Sequence, residues 1–105
     1  MLIKTSLMYP YKENARFDYA YYHDKHLPFV KASLSTALKR IAIDKGLVGG
    51  TPGTPPPYIL CAHMYFESVE AFEQAFAPHA NEIFSDIPNF TDLQPLAMIS
   101  EVISE

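Results

Sequence analysis

A lone cysteine, Cys61, leaves the chain without an internal disulfide, and its place in an apolar run reads as a small buried hydrophobe in a reducing compartment. Basic residues are scarce too. Eight Lys and Arg against twelve Asp and Glu give a formal charge of −4, and no basic cluster is longer than Lys39-Arg40. Such a surface offers nothing to a phosphate backbone, which argues against nucleic acid as a partner. No apolar run approaches the ~18 residues of a membrane helix, and the Met-Leu-Ile-Lys start lacks the basic segment and apolar core of a leader. The expectation is a cytoplasmic protein with no membrane partner. A His-Glu-x-x-His pattern, a second cysteine and any Ser-His-Asp or Cys-His spacing are also missing, which argues against a metal site and against a nucleophile at Cys61.

What is present points to a packed core. Apolar residues make up 49% of the 105 and charged residues only 19%, a globular rather than a disordered composition. One domain over residues 1–105 is expected, burying about 60–65% of its unfolded surface.

Residues 2–9 alternate Ile3, Thr5, Leu7 and Tyr9 against Leu2, Lys4, Ser6 and Met8, a two-residue period that predicts a strand ended by Pro10. In 17–30, Tyr19, Tyr22, His23, His26, Leu27 and Val30 recur at helical spacing. They predict one inward face with Asp18, Tyr21, Asp24 and Lys25 turned away, capped by Asn14 or Asp18. Pro28 predicts a kink or break just after His26, and a second short helix beyond it. Residues 39–45 read as a half-exposed edge strand, and 46–57, with four glycines and four prolines, as a mobile loop.

The strongest strand is 58–66, with Leu60, Ala62, Met64 and Phe66 on one face and Ile59, Cys61, His63 and Tyr65 on the other. Ser68 caps a helix whose stripe is Val69, Phe72, Phe76, Ala80 and Ile83, interrupted at Pro78. A turn-rich stretch over 85–92 leads to a last strand over 96–103. The order βαββαβ predicts an α+β, ferredoxin-like sandwich with both helices on one face of an antiparallel sheet. The uncovered face, with Ile59, Cys61, His63 and Tyr65, is too apolar for water and predicts a homodimer packed sheet to sheet.

For chemistry, the stretch around His26 stands out. A histidine at the end of a phenol-rich helix face is either a cap satisfied by backbone carbonyls or a general acid or base, its ordinary pKa of about 6.5 suiting both directions of proton transfer. In the second role His26 acts with Tyr22 or His63 donating a hydrogen bond to a developing enolate or phenolate, and Met8, Tyr65 and Phe90 wall an apolar ligand site. No cofactor is required by such a set. The other reading is a binding or carrier module for a hydrophobic intermediate or a partner enzyme.

Phe17-Asp-x-x-Tyr21-Tyr22-x-x-x-His26-x-Pro28, the Pro-Gly loop, Tyr65-Phe66, Pro78-His79 and Asp86-Ile-Pro-Asn-Phe-Thr91 together resemble the EthD family of dimeric α+β barrel proteins, over nearly the whole chain. The family is named for a gene cluster that degrades ethyl tert-butyl ether. Its relatives in the barrel superfamily include cofactor-free quinone-forming monooxygenases, muconolactone isomerases and polyketide cyclases. The resemblance therefore implies a small dimer holding an apolar or aromatic ligand between sheet and helices, with cofactor-independent isomerase, cyclase or monooxygenase-type chemistry in a degradation or biosynthetic pathway.

Overall fold

In a computed structural model that describes residues 2–105, strands β1 (Ile3–Pro10), β2 (Arg40–Lys45), β3 (Tyr58–Phe66) and β4 (Leu96–Glu101) form one antiparallel sheet in the order β2-β3-β1-β4. The most apolar strand, β3, is central, and β2 is an edge, as its alternation predicts. Register places Thr5 opposite both Met64 and Ile99, and Leu7 opposite Ala62 and Ala97. Period-two geometry then puts Ile3, Thr5, Leu7 and Tyr9 on one face with Leu60, Ala62, Met64 and Phe66. The helices pack there, and Ile3, Tyr9, Leu60, Phe66, Val30, Leu34 and Ile83 are buried between the layers.

The first helical layer runs from α1 (Tyr19–Tyr21) through a π-helical turn (Tyr22–His26) into α2 (Leu27–Leu34). Asp18 opens it, its carboxylate accepting from the Tyr21 N–H at 3.0 Å. The break expected after His26 is not there: His26 and Leu27 keep helical angles (φ −69°, ψ −51°; φ −60°, ψ −46°). Instead the turn widens by one residue, Leu27 donating to the Tyr22 carbonyl, so Pro28 falls in the first turn of α2, where its missing N–H costs little. The wider turn also changes which side chains face inward. Tyr22, His26, Leu27 and Val30 are buried, whereas Tyr19 and His23, placed inward by a uniform α period, are exposed, and Tyr21 is drawn half inside.

The second layer is α3 (Val69–Phe76), a 3₁₀ turn (Ala77–His79) at Pro78, and α4 (Ala80–Ser85). Ser68 caps it, its hydroxyl accepting from the Ala71 N–H at 3.0 Å. Between β2 and β3 the Pro-Gly stretch carries internal order: Gly46 donates to the Ile59 carbonyl and Gly49 to that of Thr54, each at 2.8 Å, and Gly53 takes φ 82°. A Cβ on Gly46 would collide with the Tyr58 carbonyl, which accounts for glycine at that position.

Candidate functional site

Two segments far apart in sequence are joined beside the helix start. Phe17 bridges to Thr91, the Asp18 N–H donates to the Phe90 carbonyl at 2.7 Å, and the Thr91 hydroxyl donates to the Arg16 carbonyl at 2.7 Å. The Arg16 guanidinium reaches the Pro88 carbonyl at 2.7 Å. These bonds hold Phe90, which is fully buried, at the centre of an aromatic cluster. Its ring lies 5.1 Å from Tyr22, 5.3 Å from Phe17, 5.9 Å from Tyr9 and 4.7 Å from the His26 imidazole.

The same joining delivers Asp86 to His26. His26 Nδ1 lies 2.8 Å from Asp86 Oδ2, while Tyr21 OH and Asn89 Nδ2 both donate to Oδ1, at 2.6 and 2.9 Å. The imidazole is only 3% exposed and stacks on Tyr22 at 5.4 Å and 27°. Burial pushes the Asp86 carboxyl up, but the hydrogen bonds from Tyr21, Asn89 and His26, with the attraction of the imidazole, outweigh it and hold the group below its ordinary value. Asp86 is thus a carboxylate at neutral pH. An anionic acceptor on Nδ1 fixes that nitrogen as the proton carrier in the neutral ring and leaves the lone pair of Nε2 for the other side. Tyr21 is held protonated by its bond to Asp86, and Tyr22 by burial.

On that other side is a cavity of about 240 Å³ between sheet and helices, larger than the ~150 Å³ that suffices for benzene. Val30, Met64, Phe72, Phe76 and Ile83 form its walls, and Thr5, Tyr9, Tyr22 and His26 are polar residues that border it, the Thr5 and Tyr9 hydroxyls being closed to water. No Lys, Arg, Asp or Glu lines it among the described residues. Phe84 and Ile99 line it and are exposed, which sets its mouth between α4 and the edge strand β4.

Of the residues singled out in the sequence, His26 and Tyr22 meet at this cavity. Phe90 supports both from behind and is not part of the cavity wall. Met8, His63 and Tyr65 are on the opposite face of the sheet, because β1 and β3 alternate and these three share parity with Ser6 and Cys61 rather than with Tyr9 and Ala62. His63 therefore does not join His26; its Nδ1 meets the Ser6 hydroxyl at 2.9 Å and its Nε2 the Asp44 carboxylate at 3.3 Å. Asp86 was legible only as a turn residue. The one sequence signal for its role is that it opens a motif whose Phe90 and Thr91 bind the other motif.

The charge on Asp86 has a pH signature. A carboxyl held below its unfolded value adds stability above that value, about 3.9, and loses it as pH falls through the folded value. The melting temperature of Asp86→Asn, followed from neutral pH to about pH 2, is expected to start below that of the native chain and to converge on it in acid; parallel curves would mean that Asp86 gains nothing from its partners.

A four-stranded antiparallel sheet carrying two helical layers on one face defines a ferredoxin-like α+β protein. The EthD domain model matches residues 13–94, and the chain belongs to the EthD family. An EthD-like protein from Ralstonia eutropha JMP134 is 45% identical, with 99% of this chain and 94% of that one covered and a TM-score of 0.93. An ethyl tert-butyl ether degradation (EthD) family protein from Bacillus halodurans C-125 is 21% identical over 98% and 100% of the two chains, TM-score 0.73. A dimeric ferredoxin-like protein of unknown function from Thermobifida fusca YX is 14% identical over 97% and 92%, TM-score 0.65. No curated protein matches this chain.

Proposed function

We propose that the protein binds a small apolar or aromatic ligand in the cavity between sheet and helices and moves a proton on it without a cofactor, His26 acting as the base. The supporting observation is that His26 borders the cavity while Asp86 engages its Nδ1, which leaves Nε2 as the ring nitrogen for a ligand. With a carbonyl ligand, Nε2 takes a proton from the carbon next to the carbonyl. The electron pair moves onto the carbonyl oxygen as an enolate, the neutral Tyr22 phenol donates to that oxygen, and reprotonation of carbon by the imidazolium restores the ring. Incubation with cyclohexanone in D₂O, read by NMR, tests this: protein-dependent deuterium uptake next to the carbonyl supports it, and uptake no faster than in buffer rejects it. Binding without uptake is the outcome for the carrier reading, which the almost wholly apolar cavity walls favour.

The working unit is a homodimer. Tyr65, Cys61 and Met8 on the outer sheet face are half-buried, and Leu96 and Met98 are exposed on it with no element above them among the described residues, a patch of the kind that pairs with a copy of itself. The dimeric Thermobifida fusca relative agrees with this. Tyr65 lies opposite Lys4 and beneath the Arg40 guanidinium, 4.1 Å from its ring. Tyr65→Lys would then add a third cation at the interface and is expected to convert the dimer to monomer in sedimentation at micromolar concentration. A native chain that sediments as a monomer there would overturn the dimer.

A further inference from the structure

Among the described residues, two buried hydroxyls have no partner. The Thr5 Oγ1 and Tyr9 OH atoms are shielded from water and make no hydrogen bond, and their residues are 6% and 0% exposed. An unmade hydrogen bond at a buried donor costs about 1–3 kcal/mol, and native interiors rarely leave one. Here there are two, on alternate positions of the same face of β1, and both side chains line the cavity. A chain that needed only packing at these positions would be served by Val and Phe, which have the same outlines without the penalty.

We propose that Tyr9 and Thr5 are ligand-binding residues, and that the ligand of this cavity is an uncharged molecule of about one ring carrying an oxygen that accepts from Tyr9. This rests on the reading of the cavity as a ligand site. Burial, and then the neighbouring Tyr22, push the Tyr9 phenol up, so it keeps its proton and offers it. The O–H turns about its bond without moving the ring, and because its oxygen is closed to water in the ligand-free chain, the cavity wall must yield for a ligand oxygen to reach it. The absence of Lys, Arg, Asp and Glu from the described lining leaves no side chain of fixed charge to neutralise an ionised ligand, whose burial there would be strongly unfavourable. A volume of about 240 Å³ limits the ligand to a single substituted ring or an equivalent branched chain.

Three para-substituted toluenes separate these features: 1,4-dimethylbenzene and 4-methylphenol, which share one outline, and 4-methylbenzoate, a somewhat larger anion, each titrated by NMR against the native protein, Tyr9→Phe and Thr5→Val. A cavity with no reachable polar group prefers the dimethylbenzene, because the phenol then loses its bonds to water. The expected order is the reverse: 4-methylphenol at least tenfold tighter than 1,4-dimethylbenzene, and 4-methylbenzoate the weakest. Tyr9→Phe should erase the phenol's advantage and leave the dimethylbenzene within twofold, while its ligand-free melting temperature stays level or rises, since an orphaned hydroxyl has been removed. Thr5→Val should reduce that advantage partially, with the same effect on melting. A phenol advantage that survives both substitutions overturns the assignment of the hydroxyls, and tight binding of 4-methylbenzoate overturns the uncharged ligand. If all three ring probes fail to bind the native protein, the cavity is not a ligand site, and this inference falls with that reading.

Discussion

His26→Gln is expected to slow deuterium uptake into cyclohexanone at least a hundredfold, the lower end of what a positioned acid or base contributes, about 10²–10⁴. Glutamine has no basic nitrogen to replace Nε2, yet it keeps a polar group near Asp86. Asp86→Asn should cause a loss of similar size for a different reason. An asparagine amide can donate to Nδ1, which would force the imidazole proton onto Nε2 and turn the lone pair away from the cavity. Both variants must be compared per folded molecule. The imidazole is buried and stacked between Tyr22 and Phe90, so His26→Gln should also cost about 1–3 kcal/mol of stability. Uptake that merely follows the folded fraction would make His26 a structural residue.

Phe90→Ala should be the most destabilising single change at the site, by about 3–5 kcal/mol. The ring has no exposed surface and packs among four other rings and the imidazole, so its removal opens a void that the bonds from the Asp18 N–H to the Phe90 carbonyl and from the Thr91 hydroxyl to the Arg16 carbonyl prevent from closing. Against a total of about 5–15 kcal/mol for a domain, a large part of the margin disappears. Urea denaturation measures it. Phe90→Leu should recover part of the loss, and a cost below about 1 kcal/mol for the alanine variant would mean that the cluster closes around the gap.

Much of the architecture is legible in the sequence because it rests on short-range patterns. Two-residue alternation marks β1 and β3, Ser68 marks one helix start and Asp18, one of two candidates with Asn14, the other, and Pro78 marks the change of helix type. The faces of those strands are legible as well, including that the face with His63 and Tyr65 is the one the helices leave uncovered. His63, Tyr65 and Met8 share that outer face, so grouping them with His26 joins side chains that the sheet keeps apart. Asp86 and Tyr9 were out of reach for another reason. An aspartate in a turn and a tyrosine on a strand carry ordinary local meanings, and their roles come from partners 60 residues away for Asp86 and from the lack of any partner for Tyr9. The helix around His26 misled because periodicity assumes one pitch throughout.

That change of pitch has a consequence for how such chains can vary. In the turn from Tyr22 to His26 the three residues between the two buried rings, His23, Asp24 and Lys25, are all exposed. Their chemistry is unconstrained by packing, but their number is not. Each residue of an α-helix advances the side chain by about 100°, so a chain one residue shorter here would swing His26 a quarter turn or more away from Asp86 while leaving every side chain intact. The tripeptide acts as a spacer whose length, rather than whose letters, carries the information.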